Sequence, residues 1–164
     1  MILHKDDLVL LKKLIHSKYK NFESFSYWND ETIDSVDIKL KNVLDIGCGD
    51  GVRTVYYAIK YIPKKIVAVD NWVGCGSEIN GKNKFEKLIS GSGLKNIEIK
   101  QADVLKIEFE EQFDTIICGQ VLHHLFESQL SILKNEKLKN DCVCFFKKVF
   151  GWLKPCGCLI IDEV

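Results

Sequence analysis

Glycines at 47, 49 and 51 follow the apolar pair Val43-Leu44 and precede a segment of helical patterning. A strand that turns into a helix through glycines spaced by single residues brings backbone close to whatever lies above the turn, the layout of a nucleotide-cofactor loop. Asp45 narrows the choice of ligand. A carboxylate two residues before the first glycine suits a cation and is a poor neighbour for a pyrophosphate. A cofactor carrying an amino group and a positive sulfur fits better.

Strand and helix patterns alternate on both sides of this loop, which is the signature of a parallel sheet with helices on its two faces. Strands are expected over 42–46, 66–69, 96–100, 113–118 and 158–161, the fourth almost wholly apolar, as a strand covered on both faces should be. Helices are expected over 52–61, ended by Pro63, and over 82–89. A long helical stretch over 122–153 breaks between 135 and 140, and its second piece places Cys142, Phe146, Val149 and Leu153 on one face. Lys154-Pro155-Cys156-Gly157 reads as a turn. Upstream, 6–20 and 32–40 read as helices flanking an aromatic segment with Phe22, Phe25, Tyr27 and Trp28. The expected architecture is a Rossmann-like, doubly wound open sheet of about five parallel strands in the order 3-2-1-4-5. It forms a single domain over 1–164, with an N-terminal helical lid region at 1–40 and the core sheet at 41–164.

Lys+Arg and Asp+Glu both total 23, and Arg53 is the sole arginine. The balanced charge gives no field to hold a polyanion, and one arginine removes the forked donor that phosphate and guanine contacts use. Nucleic acid is therefore disfavoured as a partner. The seven cysteines are an odd number, and the first seven residues lack the apolar core of a signal peptide. Both features point to a reducing cytoplasm. No apolar run reaches the roughly 18 residues of a spanning helix, so no membrane is expected.

Five segments, in order, carry a family resemblance: Val43-Leu-Asp-Ile-Gly-Cys-Gly-Asp-Gly51, Val67-Ala-Val-Asp70, Gln101-Ala-Asp103, Phe113-Asp-Thr-Ile-Ile-Cys-Gly-Gln-Val-Leu-His-His124 and Leu153-Lys-Pro-Cys-Gly157. From about residue 40 onward the chain resembles the class I S-adenosylmethionine-dependent methyltransferases. The resemblance implies S-adenosyl-L-methionine as cofactor and a small-molecule oxygen, nitrogen or carbon acceptor; the alternatives are a non-catalytic or partner-dependent cofactor-binding module, and a nucleic-acid or protein methyltransferase that takes its substrate grip from a partner. Gly47, Cys48, Gly49 and Gly51 then form the close-approach loop, and Asp45 helps hold the methionine end, directly or through water. Asp70, 25 residues beyond Asp45, takes the place of the acid that accepts both ribose hydroxyls. Asn71 and Trp72 fall where a side chain lies against adenine. Asp103 resembles the acid for the adenine amino group, with Ala102 or Val104 supplying a backbone donor. Gly119 and Gln120 face the methionine end and the methyl group.

Other readings stand beside these. A glycine turn can be purely structural, Asp70 or Asp103 alone can cap a helix, and Trp72 can be ordinary packing. His123 and His124 are candidate general bases for a hydroxyl or amine nucleophile, with Glu163 a weaker one. Yet Val-Leu-His-His-Leu also occurs in members of the resembled family where neither histidine is the base. Cys142-Val-Cys144 and Cys156-Gly-Cys158 supply four thiols. On a helix the first pair point about 200° apart, and zinc knuckles separate their ligands by two residues, so no metal is expected.

Two departures from the resembled family bear on function. Cys156 stands where that family commonly has glycine. Its sheet usually ends in a hairpin beside the fifth strand, whereas this sequence stops at Val164. Either the sequence is a fragment or minimal form, or another chain covers that edge; an apolar fifth strand left open is a template for pairing, so association between copies through the 158–161 edge is the expectation to test.

Overall fold

The computed structural model describes residues 36, 38, 41–73, 80–126 and 133–163. The helices expected at 6–20 and 32–40 and the aromatic segment between them lie outside this set, apart from residues 36 and 38. Within it run β1 (Asn42–Ile46), α1 (Val52–Lys60), β2 (Lys65–Asp70), α2 (Gly81–Ser92), β3 (Ile97–Gln101), β4 (Phe113–Gly119), α3 (Leu122–Phe126), α4 (Glu136–Trp152) and β5 (Leu153–Asp162). All neighbouring strands pair in parallel, in the order β3-β2-β1-β4-β5. The expected topology is the observed one.

The sheet separates two apolar layers. Leu44, Ile46, Val67, Val69, Ile116 and Cys118 meet Phe145, Val149 and Trp152 of α4 on one face. On the other, Val52, Val55 and Ile59 of α1 pack with Phe85 and Leu88 of α2, while Tyr57 and Ala58 meet Val43, Ile66 and Ile117. Each of the fully buried side chains Phe85, Phe113 and Phe145 stabilises this arrangement by roughly 2 to 3 kcal/mol. Because the strands are parallel, their carboxyl ends, the glycine turn and the loops after β2, β3 and β4 all emerge on one edge of the sheet.

The structure sharpens one local expectation and corrects two. Asn135 itself breaks the long helical stretch, its side-chain oxygen accepting from Lys137 and Leu138 N–H at the start of α4. The buried stripe of α4 centres on Phe145, Val149 and Trp152 rather than on Cys142, Phe146, Val149 and Leu153. Aromatic contacts set that rotation: Phe126 lies 5.5 Å from Phe145, and Phe109 meets Trp152 edge-on at 5.0 Å. Finally, the Lys154–Gly157 turn lies inside β5. Leu153 pairs with Phe113 and Cys158 with Thr115, so the intervening residues bulge opposite Asp114, with Cys156 left-handed at φ 64°.

Candidate cofactor site

A cavity of about 370 Å³ opens at the carboxyl edge of the sheet. It is lined by Gly47, Gly49, Val69, Asp70, Asn71, Val73, Ala102, Asp103, Val104, Gln120, Val121, His124 and Leu125. Nine of these, Gly47, Gly49, Asp70, Asn71, Ala102, Asp103, Val104, Gln120 and His124, are among the residues picked out from sequence. Asp45, Cys48, Gly51, Trp72, Gly119 and His123 are not among the lining residues, and each has a structural reason to lie elsewhere.

The glycine turn is closed on itself. Gly47 and Cys48 N–H donate to the Val69 carbonyl at 2.8 and 3.3 Å, and Gly51 N–H to Cys48 at 2.9 Å. Gly49 N–H donates to Asp70 Oδ2 at 2.9 Å, and Val52 N–H to Asp50 Oδ1 at 3.2 Å. Five N–H groups that a phosphate-binding turn would present to its anion are thus committed within the protein. The side chains lining the cavity include two carboxylates, Asp70 and Asp103, and no lysine or arginine among the described residues. Such a donor set fits a cation and a hydroxylated sugar, and does not fit a pyrophosphate.

The three glycines do different things. A Cβ on Gly51 would sit 1.9 Å from Phe85 Cδ2, so this residue lets α2 pack against the turn. On Gly47 it would meet Val121 Cγ2 at 2.5 Å. Gly49, at φ 55°, has nothing within 4 Å of that position. It is the open point of the turn, where a ligand can approach backbone.

Asp45 lies beneath the turn, 4% exposed, accepting a hydrogen bond from Thr54 Oγ1 at 2.5 Å. Burial raises its carboxyl to about 6, against the pull of the Thr54 hydroxyl and the Arg53 charge. Cys48 is buried beside it, and burial together with the charges of Asp45 and Asp70 holds its thiol well above the usual range. Gly119 makes room for Arg53, because a Cβ there would fall 1.9 Å from Nη1. The guanidinium bonds Tyr57 through Nε and pairs with Asp162 at 2.8 Å, tying α1 to the end of β5.

Trp72 also turns away from the cavity. Its indole N–H donates to the Gly49 carbonyl at 2.7 Å, and its ring packs with the α1–α2 layer. The apolar side chain that reaches the cavity after β2 is Val73, 72% exposed. Asp103 is pushed up by burial but held below the ordinary carboxylate range by Lys106 at 3.0 Å and by Leu105 N–H. Ala102 N–H already donates to the Asp70 carbonyl at 3.0 Å.

The two histidines lie side by side but face different partners. His124 lines the cavity, whereas His123 Nδ1 lies 2.7 Å from Glu163 Oε2, with the two rings 3.9 Å apart. The other Glu163 oxygen accepts from Val121 and Leu122 N–H at 2.7 and 2.6 Å, at the start of α3. Burial pushes the Glu163 carboxyl up, but these bonds outweigh it and leave it below the usual glutamate value. Glu163 is a poor base, and it anchors the helix that carries His124. Sequence reasoning took Val69 only as a strand residue, and it missed Val73, Val121 and Leu125 as cavity walls. The only signal for them was an apolar residue just past Asn71-Trp72 and the Val-Leu-x-x-Leu pattern.

The family described as methyltransferase domain matches residues 43–157. (S)-Coclaurine N-methyltransferase of Papaver somniferum is 27% identical over 157 residues, covering 87% of this chain and 39% of that protein. Pavine N-methyltransferase of Thalictrum flavum subsp. glaucum is 32% identical over 142 residues, covering 86% and 34%. The crystal structure of coclaurine N-methyltransferase bound to N-methylheliamine and SAH aligns with a TM-score of 0.59 at 25% identity, over 82% of this chain and 33% of that one. The chain belongs to the class I S-adenosylmethionine-dependent methyltransferase family. It spans 39% and 34% of the length of the two relatives above.

Proposed function

We propose that this chain binds S-adenosyl-L-methionine in the cavity at the carboxyl edge of the sheet and transfers its methyl group to a small-molecule nucleophile. One observation carries the reading. A glycine turn whose N–H groups are committed internally, facing two carboxylates, selects a cationic, ribose-bearing cofactor over a phosphate-bearing one. When bound, that cofactor supplies an electrophilic methyl on a sulfonium. Asp70 has one lone pair on each oxygen bonded to Gly49 and Trp72 N–H, and the remaining pairs are suited to ribose hydroxyls. Asp103 would accept from the adenine amino group, and Val104 rather than Ala102 would supply the backbone donor, since Ala102 N–H is already used. Val73 and Asn71 line the part of the cavity that would take the adenine ring, and Gln120 the part that would take the methionine end. Asp45, buried, acts on the ammonium from beneath through water or through its field.

The chain's contribution to the chemistry is chiefly positioning of the nucleophile against the methyl. The acceptor atom is oxygen, nitrogen or carbon, and the named activities of the relatives favour nitrogen. Where the acceptor loses a proton, His124 at the cavity wall is the group placed to take it. His123, held by Glu163, supports it. Calorimetry with S-adenosylhomocysteine tests the reading: saturable heat at one site is expected, and no heat overturns it. Binding without turnover across an acceptor panel would favour a non-catalytic or partner-dependent module.

A homo-oligomeric contact through β5 is part of the same proposal. Among the described strands β5 pairs on one side only, with Ile161 44% exposed. A monomer by light scattering at high concentration would overturn it.

A further inference from the structure

Trp72 occupies backbone space that a bulky side chain rarely adopts, with φ 51°. Such a conformation is strained and persists only where its surroundings over-determine it. Three elements do so here. The Trp72 N–H donates to Asp70 Oδ1 at 2.7 Å, at the end of β2. The indole N–H donates to the Gly49 carbonyl at 2.7 Å, in the glycine turn. The ring also lies against the first residue of α2, Gly81, where a Cβ would come within 3.0 Å of Cδ1 and 3.3 Å of Nε1. The same carboxylate that receives the Trp72 N–H receives the Gly49 N–H on its other oxygen. Both polar groups of the Gly49 residue are therefore fixed by the exit of β2, its N–H by Asp70 and its carbonyl by Trp72. Gly49 is also the one glycine of the turn whose missing side chain leaves open space.

We infer that Trp72 is a positioning residue that clamps the glycine turn, acting through its indole N–H on Gly49 and not by stacking on a ligand. The clamp holds the Gly49 peptide in the orientation that keeps its open side toward the cavity, so the turn is organised before the cofactor arrives. The wall position that a stacking tryptophan would fill passes to Val73. This inference rests on the cofactor reading for its functional consequence, but its structural half can be read without any ligand.

Trp72→Phe keeps a ring and removes the N–H, and Trp72→Ala removes both. Loss of one hydrogen bond from a preorganised turn corresponds to roughly a three- to tenfold change in affinity. Calorimetry with S-adenosylhomocysteine is expected to show a loss of that size in both variants, while the melting temperature falls much further in Trp72→Ala than in Trp72→Phe. Without ligand, amide exchange of the 47–51 segment is expected to accelerate in both. A packing role alone predicts that affinity follows ring volume, so Trp72→Phe binding as tightly as the parent chain, with unchanged exchange, overturns the clamp. If the parent chain itself gives no heat, the cofactor reading falls. The exchange rates then decide the clamp by themselves: faster in Trp72→Phe supports it, unchanged overturns it.

Discussion

Asp45→Asn tests the electrostatics beneath the turn. The Asp45 carboxyl is 4% exposed, and burial lifts it from 3.8 to about 6 even though the Thr54 hydroxyl and the Arg53 charge both pull it down. The unfolded chain releases this proton near 3.8 and the folded chain near 6. Between those values the folded state holds the extra proton, so stability is highest at the acid end and is lost as pH rises through about 6. A rise of this size corresponds to about 3 kcal/mol above pH 6. Asparagine keeps an oxygen to accept from Thr54 and carries no charge to desolvate. Its amide N–H₂, set where a carboxylate attracted Arg53, offsets about 1 kcal/mol of the gain. The expected result is a variant about 2 kcal/mol more stable than the parent at pH 7.5, with the advantage gone by pH 4. Urea unfolding of both proteins at half-unit intervals from pH 4 to 8 measures it. A stability difference that stays flat across that range would refute the reasoning, because only titration of Asp45 gives it a pH dependence.

The glycines of the turn should respond differently to one methyl group. Gly49→Ala places its Cβ in open space at a left-handed position, so folding should lose about 1 kcal/mol while S-adenosylhomocysteine binding falls at least about tenfold. Gly51→Ala drives its Cβ into Phe85 and should lose about 3 kcal/mol or more of stability; equal stability of the two variants in denaturant would contradict this. Thr115 Oγ1 is buried with no hydrogen-bond partner among the described residues, so Thr115→Val should stabilise by about 1 kcal/mol, and a loss in urea unfolding would count against it. Cys156→Gly should stabilise by up to about 1 kcal/mol by relieving the left-handed backbone in the β5 bulge, and a lowered melting temperature would refute it.

What could be read from sequence was what depends on neighbours in the chain. Apolar runs of strand length between helical stretches marked the strands, the doubly wound class supplied their order, and acids at the ends of β2 and β3 marked the rim of the cavity. What escaped depends on partners that only folding brings close. Asp45 sits under the turn because Thr54, on the first turn of α1, faces it. The glycine at 119 answers to Arg53, 66 positions earlier, and the one at 51 answers to Phe85. Trp72 was legible as an aromatic beside a cofactor acid, but its direction is set by a positive φ and by the Gly49 carbonyl. Glu163 read from sequence as a weaker candidate base, and its place at the start of α3 follows from β5 running alongside β4.

The central claim is that the cavity between Gly49, Asp70, Asp103 and His124 is a cofactor site. A crystal structure of this chain grown with S-adenosylhomocysteine tests it most directly. Both ribose hydroxyls are expected on the Asp70 carboxylate, the adenine edge at Asp103, backbone of Gly49 against the ligand, and the sulfur on the side of the cavity that holds His124. A ligand bound elsewhere, or bound here with Asp70 and Asp103 making no contact to it, would contradict it.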